Sequence, residues 1–228
     1  MRFGVENRNF LFAALIIFWA FFGDACGQTQ ERKMKQINEH EEKAKQLRYQ
    51  KKFDEAIKEQ QKAVDIDRNY VGSWVLLGSI YLEAAQWQKA VDALNKAVEL
   101  EPKDAVIYAL LGNAWEHLNN LQKSIEYRKK AVSLEPDNID YLVNLGATQN
   151  LLEDNKSARV SYEKAFEIDP NYTGAIYNLA ILEEEEGNIE KATYLYEKVL
   201  NLEKEDKEML RRAQEKLDNF KHKKVAKP

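Results

Sequence analysis

The chain has one cysteine, three histidines, four prolines and nine glycines in 228 residues. A single cysteine excludes a disulfide within the chain and any zinc site built from several thiolates. Three histidines leave little for a His-rich metal site. Four prolines and nine glycines are too few for collagen, a flexible linker or a low-complexity tail. Charge of one sign is also missing. Thirty-four basic residues stand against 38 acidic ones, a net charge of −4, which argues against a nucleic-acid footprint spread over the chain. No phosphate-binding glycine loop, zinc-binding helix motif or nucleophile elbow appears. His117 follows Glu116, but adjacent residues on a helix do not face each other. No catalytic residue, metal ligand or cofactor is therefore expected, and the chain reads as a non-enzyme. Hydrophobic residues make up 44%, enough for a core.

Residues 10–23 form an uncharged apolar run of fourteen positions. About 20 apolar residues are needed to span a bilayer as a helix, so the run is short. Arg2 and Arg8 precede it against Glu6, and the small residues Gly23, Ala25 and Gly27 follow. That is the layout of a secretory signal peptide over residues 1–27; a retained signal anchor and a buried helix are the alternatives. Cys26 lies where cleavage would fall. The segment resembles a bacterial lipoprotein signal, in which the cysteine becomes the lipid-attachment residue. Ala25 fits that pattern, whereas Gly23 stands where Leu is usual and Asp24 departs. The other reading is an ordinary signal peptide with an incidental Cys26. Either way the expected location is exported: periplasmic or membrane-anchored in a bacterial envelope, otherwise secreted.

The remainder is one repeat. Pro102, Pro136 and Pro170 are spaced by 34 residues, as are Gly78, Gly112 and Gly146, and Ala97, Ala131 and Ala165. A fixed period of 20–50 residues signals a solenoid. The fullest unit, 71–104, reads Trp74-x2-Leu77-Gly78-x2-Tyr81, then Ala90-x3-Leu94-x2-Ala97 and Pro102. Unit 105–138 keeps the pattern with Arg128 departing, and unit 139–172 keeps it with Gln149 departing. Unit 173–206 loses it at Glu183, Val199 and Lys204. Unit 37–70 is weakest, with His40 and Lys43 at apolar positions.

Elementary packing explains the pattern. Trp74, Leu77, Gly78 and Tyr81 fall on one face of a helix, and Ala90, Leu94, Ala97 and Val98 on one face of the next. Small residues at the eighth and twentieth positions remove bulk where the two helices cross. Proline removes an N–H and pushes the preceding residue out of helical geometry, so it ends each second helix. Asn119-Asn120, Asp154-Asn155 and Gly187-Asn188 break each hairpin between its helices. One hairpin cannot bury both faces; stacked neighbours can, and terminal units are atypical.

Units with this period and these residues resemble the tetratricopeptide repeat (TPR) family over residues 37–206. The resemblance implies an all-α fold: a right-handed α-solenoid of five stacked helix-turn-helix repeats, 37–70, 71–104, 105–138, 139–172 and 173–206. Met209, Leu210, Ala213 and Leu217 keep a helical spacing, so 207–220 is expected to be a C-terminal capping helix. Residues 28–36 read as a polar linker or an extension of the first helix, and 221–228 as a basic disordered tail.

In the family, the fifth, sixth, ninth and twelfth positions of each first helix line a concave peptide groove. Here the expected groove residues are Ser79, Asn113, Asn144, Asn150, Tyr177 and Asn178. An amide at the sixth position suits the backbone of an extended peptide because it offers donor and acceptor together. The resemblance also argues against a carboxylate clamp, since units 71–206 place no Lys or Arg at the groove positions. The run Glu183–Glu186 reads as a solvated face or a seat for a basic partner. The expected function is an exported, non-enzymatic adaptor that binds a peptide or protein partner, with no nucleic acid. The alternative is a lipid-anchored scaffold for a cell-envelope complex.

Overall fold

The computed structural model describes the backbone of residues 6–225 and the side chains of residues 27 and 29–222. Among the described residues there are eleven helices and no strand. They fall into two compact units, Met1–Gln86 and Trp87–Pro228.

The first unit holds α1 (Glu6–Tyr49), α2 (Phe53–Ile66) and α3 (Val71–Glu83). The second holds α4 (Trp87–Leu100), α5 (Ala105–His117), α6 (Leu121–Leu134), α7 (Ile139–Leu151), α8 (Asn155–Ile168), α9 (Thr173–Glu185), α10 (Ile189–Leu202) and α11 (Lys207–Val225). The starts of α3, α5, α7 and α9 repeat every 34 residues, as do those of α2, α4, α6, α8 and α10. The fold is the all-α TPR solenoid class that the repeat implies.

Local chemistry sets the helix ends. Asp104, Asn120, Asn138 and Asp154 cap α5, α6, α7 and α8 by accepting a backbone N–H in the first turn. Every hairpin turn contains one left-handed residue, again at a 34-residue interval: Lys51, Ala85, Asn119, Glu153 and Gly187. Only one of the five is glycine, so four turns carry backbone strain. Tyr108 donates from its hydroxyl to the Pro102 carbonyl at 3.0 Å, and Trp74 donates its indole N–H to the Arg68 carbonyl at 2.8 Å. The aromatic fourth position of a unit thus satisfies a carbonyl freed where the preceding helix ends.

Small and aromatic residues build the cores. In the first unit Ala44, Ala56 and Ile80 are buried, with Leu47, Phe53, Ile57 and Leu76 packed around them. In the second unit Ala158, Tyr162, Ile176, Leu179, Ala180, Ala192, Tyr196 and Val199 run into Ala213, Leu217 and Phe220. The α11 helix thereby covers the last hairpin, its Phe220 ring 6.2 Å from Tyr196.

The segment 28–36, expected as a polar linker or an extension of the first helix, lies within α1, whose run of Gln, Glu, Arg, Lys and Met contains good helix formers and no proline. One boundary differs from the sequence expectation. The tail expected to be disordered from 221 is helical to Val225. Residues 1–26, which hold Cys26 and all but the last residue of the signal peptide expected over 1–27, lie outside the described side chains, as do residues 223–228. Among the described residues no helix is long and apolar enough to cross a membrane.

The polar departures of the terminal unit are absorbed locally. Glu59 is buried and meets His40 Nδ1, Lys43 Nζ and Lys62 Nζ, each at 2.9 Å. Hydrogen bonds from Lys62, Lys43 and His40 hold its carboxyl down at about 2. The polar residues at positions that are apolar in other units thus form a paired cluster, which keeps an end repeat from presenting bare apolar surface.

Candidate partner-binding face

The first-helix face of the second unit is built from α5, α7 and α9, with α11 beside α9. Tyr172 donates its hydroxyl to Asp140 Oδ1 at 2.5 Å, tying the start of α9 to the start of α7. The bond brings the starts of these two helices together. Asn144 and Asn178 occupy the sixth position of each.

The expected groove residues separate into free and occupied groups. Asn144 is exposed and Asn178 half-buried, and neither amide hydrogen-bonds another described residue. Tyr177 is half-buried and packs edge-on against Tyr196, centroids 5.8 Å apart. Asn113, by contrast, accepts from Arg128 Nη2 at 2.9 Å. Asn150 donates to Asn155 Oδ1 at 2.9 Å, and Asn155 donates to Glu185 at 3.1 Å, so this amide braces the hairpin turn. Ser79, on α3 in the first unit, donates to the Val75 carbonyl of its own helix at 3.0 Å.

Arg128 is the residue that sequence reading missed. It sits on α6 at a position where the two following units have Tyr162 and Tyr196, and its side chain is 7% exposed. Nε donates to Ser124 Oγ at 3.1 Å, while Nη2 reaches Asn113 and lies 2.8 Å from Glu116 Oε2. Thr148 of α7 donates to the same Glu116 oxygen at 2.9 Å. Burial lowers the Arg128 pKa, and the Glu116 carboxylate opposes that shift. What remains between Ala109, Arg128, Ala131, Tyr141 and Asn144 is a cavity of about 10 Å³, room for about one water. A basic head does reach the α5 face, although no first-helix position supplies one. Its only sequence signal is the departure from the repeat pattern.

Two further departures have the same meaning. Gln149 is buried and accepts from Ser161 Oγ at 2.8 Å. Glu183 is 1% exposed and meets Arg159 Nη1 at 2.7 Å, Lys191 Nζ at 2.6 Å and Asn188 Nδ2 at 2.8 Å. Burial pushes its carboxyl up, but the hydrogen bonds from Lys191, Arg159 and Asn188 prevail and hold it at about 2. The acidic run is therefore not an open seat. Glu184 receives Tyr196 and Lys216, Glu185 receives Asn155, and Glu186 pairs with Arg159 at 2.9 Å. His117 stacks flat on Trp87 at 4.1 Å, which turns its ring face to an aromatic. Among the described residues no cluster of three or more His, Cys, Asp or Glu is placed to hold a metal.

Tetratricopeptide repeat models match residues 47–114, 105–138 and 139–172, which together span more than half of the chain. The chain belongs to the tetratricopeptide repeat family. Among solved structures it is similar to MamA, at 26% identity and a TM-score of 0.64 over 69% of this chain and 92% of that one. It is also similar to YrrB, a TPR protein with an unusual peptide-binding site, at 19% identity and a TM-score of 0.61 over 77% and 90%. A thermophilic TPR protein of Thermus thermophilus matches at 18% identity and a TM-score of 0.63 over 79% and 98%. No curated protein sequence matches significantly. TPR proteins are in general non-catalytic adaptors or scaffolds that bind protein or peptide partners.

Proposed function

We propose that this chain is an exported adaptor that holds an extended peptide segment of a partner protein against α7 and α9. The observation that carries the reading is the pair Asn144 and Asn178: equivalent positions of two successive repeats, both amides without a partner among the described residues. A free amide offers a donor and an acceptor, the complement of a peptide backbone. The rigid hairpin scaffold holds both in place before binding, so little ordering entropy is lost on association.

Export rests on the apolar run 10–23 between Arg8 and the small residues Gly23, Ala25 and Gly27. Attachment of a lipid at Cys26 would convert the adaptor into a membrane-anchored scaffold of the bacterial envelope. Labelled palmitate incorporation lost in Cys26→Ser supports that form; incorporation that persists in the variant rules it out.

The adaptor reading is tested by affinity capture from the source cell envelope with wild type and with Asn144→Ala plus Asn178→Ala. Partners lost from the double variant support the reading. If every captured protein stays bound, the two amides are not the binding surface.

A further inference from the structure

The three helices of the face are not equivalent, and the difference specifies a ligand. On α5 the polar positions are already engaged: Asn113 and Glu116 hold Arg128, and Thr148 takes the other approach to Glu116. Arg128 also fills the space behind Ala109, leaving only about 10 Å³. On α7 and α9 the amides of Asn144 and Asn178 are free, and Val143, Tyr177 and Ile181 form a partly buried apolar floor.

The charged groups around that floor already have hydrogen-bond or ion-pair partners within the chain. Asp140 accepts from Tyr172 at 2.5 Å. Glu184 accepts from Tyr196 at 3.0 Å and pairs with Lys216 at 2.9 Å. Arg212 is held by Glu208 at 2.7 Å. A charged ligand side chain would displace one of these partners or lie unpaired beside an apolar surface, and both outcomes are unfavourable.

We propose that the ligand of this face is an uncharged, extended segment bearing apolar side chains, and that its footprint covers α7 and α9 and stops short of α5. The inference rests on the peptide-binding reading above and adds the ligand's chemistry and its limit. Packed helices stand about 8–10 Å apart, which is about three residues of extended chain. Two amide rungs therefore fix a short core segment, with apolar side chains entering between Val143, Tyr177 and Ile181.

The test is selection from a random-peptide display library on the full chain. Enriched peptides are then synthesised and titrated at low and high salt against wild type, Asn144→Ala plus Asn178→Ala, Asn144→Asp and Asn113→Ala. The enriched sequences are expected to lack charge and to carry large apolar residues. Their affinity is expected to change less than about twofold with salt. It should fall about tenfold in the double variant, since each net hydrogen bond contributes about 0.5–1.5 kcal/mol. Asn144→Asp, isosteric and exposed, removes the donor without disturbing packing and is expected to weaken binding too. Asn113→Ala is expected to leave affinity within about twofold.

Charged consensus peptides, a steep salt dependence, or a loss in Asn113→Ala equal to that of the double variant would overturn the inference while leaving the groove in place. Peptides that bind the double variant as tightly as wild type, or a selection that enriches nothing, would overturn the peptide-binding reading itself.

Discussion

Arg128 and Glu116 form an ion pair at 2.8 Å between the two helices of one hairpin, with Arg128 almost wholly buried and Glu116 one-third exposed. The pair stands where the two following hairpins have a buried tyrosine, Tyr162 or Tyr196. An aromatic there contributes mainly through apolar contact. The arginine contributes through a geometry that only Glu116, Asn113 and Ser124 can satisfy together, so it ties its hairpin to a specific arrangement and, through Thr148, to α7.

Removing one partner should therefore cost more than the contact is worth. Arg128→Ala is expected to destabilise the protein by about 2–4 kcal/mol, from a cavity plus a carboxylate left with Thr148 alone. Glu116→Gln should cost less, because that side is partly solvated. The double-mutant cycle should show a coupling of about 1–2 kcal/mol in urea unfolding. A coupling near zero would mean the pair is incidental to the packing.

Gly146 marks the matching contact in the next hairpin. A Cβ built there would lie 2.6 Å from Cε1 and 2.8 Å from Cδ1 of Tyr162, a ring that is 2% exposed and cannot move aside. Gly146→Ala gains about 1 kcal/mol of helix propensity but should lose about 1–3 kcal/mol to overpacking. A net fall in melting temperature is expected. At Gly112 the obstruction is Cγ of Arg128 at 2.7 Å. The variants Gly112→Ala and Arg128→Ala should then be less than additive, since the second removes the atom that the first meets.

These glycines show what the sequence could and could not convey. Their 34-residue spacing and the need for small residues at helix crossings were both readable. Which atom fills the space was not: it is the side chain of Arg128 or Tyr162 rather than an approaching backbone, because the filler lies sixteen residues away on the partner helix. The repeat and its helices follow from local periodicity. The candidate face needed more. Asn113 stands at the ninth position of its unit and Asn144 and Asn178 at the sixth, all read as groove positions; that a buried arginine from another helix engages the first was not visible. The departures Arg128, Gln149 and Glu183 were visible as mismatches, but their meaning lies in partners as far as twenty-four residues distant.

The hairpin turns carry a periodicity that no residue type announces. Lys51, Ala85, Asn119, Glu153 and Gly187 share left-handed geometry, with φ of 59°, 55°, 58°, 60° and 82°. A side chain in that region costs about 1 kcal/mol relative to glycine. Glu153→Gly should stabilise the protein by about 0.5–1 kcal/mol, and Asn119→Gly by less, because asparagine tolerates this region. The reciprocal change is the cleaner measurement. A Cβ on Gly187 would meet nothing within 4 Å, so Gly187→Ala should lose about 1 kcal/mol through backbone strain alone. An unchanged unfolding midpoint for Gly187→Ala would count against a left-handed turn.

Acid should release the buried carboxylate of Glu183. Its pKa is held at about 2 against an ordinary value of 4.5, with burial opposing and the bonds from Lys191, Arg159 and Asn188 prevailing. A depressed carboxyl contributes stability that is complete above the unfolded-state value and lost as pH falls through the folded one. The contribution should therefore be whole above about pH 5 and fade between about 4.5 and 2. Glu59 and Glu203 are held at about 2 as well, so the wild-type curve alone does not isolate Glu183. The difference between wild type and Glu183→Gln does. At neutral pH the variant should be less stable by about 2–3 kcal/mol, having left Arg159 and Lys191 without their common acceptor. That gap should narrow as pH is lowered from about 4.5 toward 2, because protonation does to the wild type what the substitution has already done. A gap that stays constant across this range in urea midpoints would mean that Glu183 holds α8, α9 and α10 by shape rather than by charge.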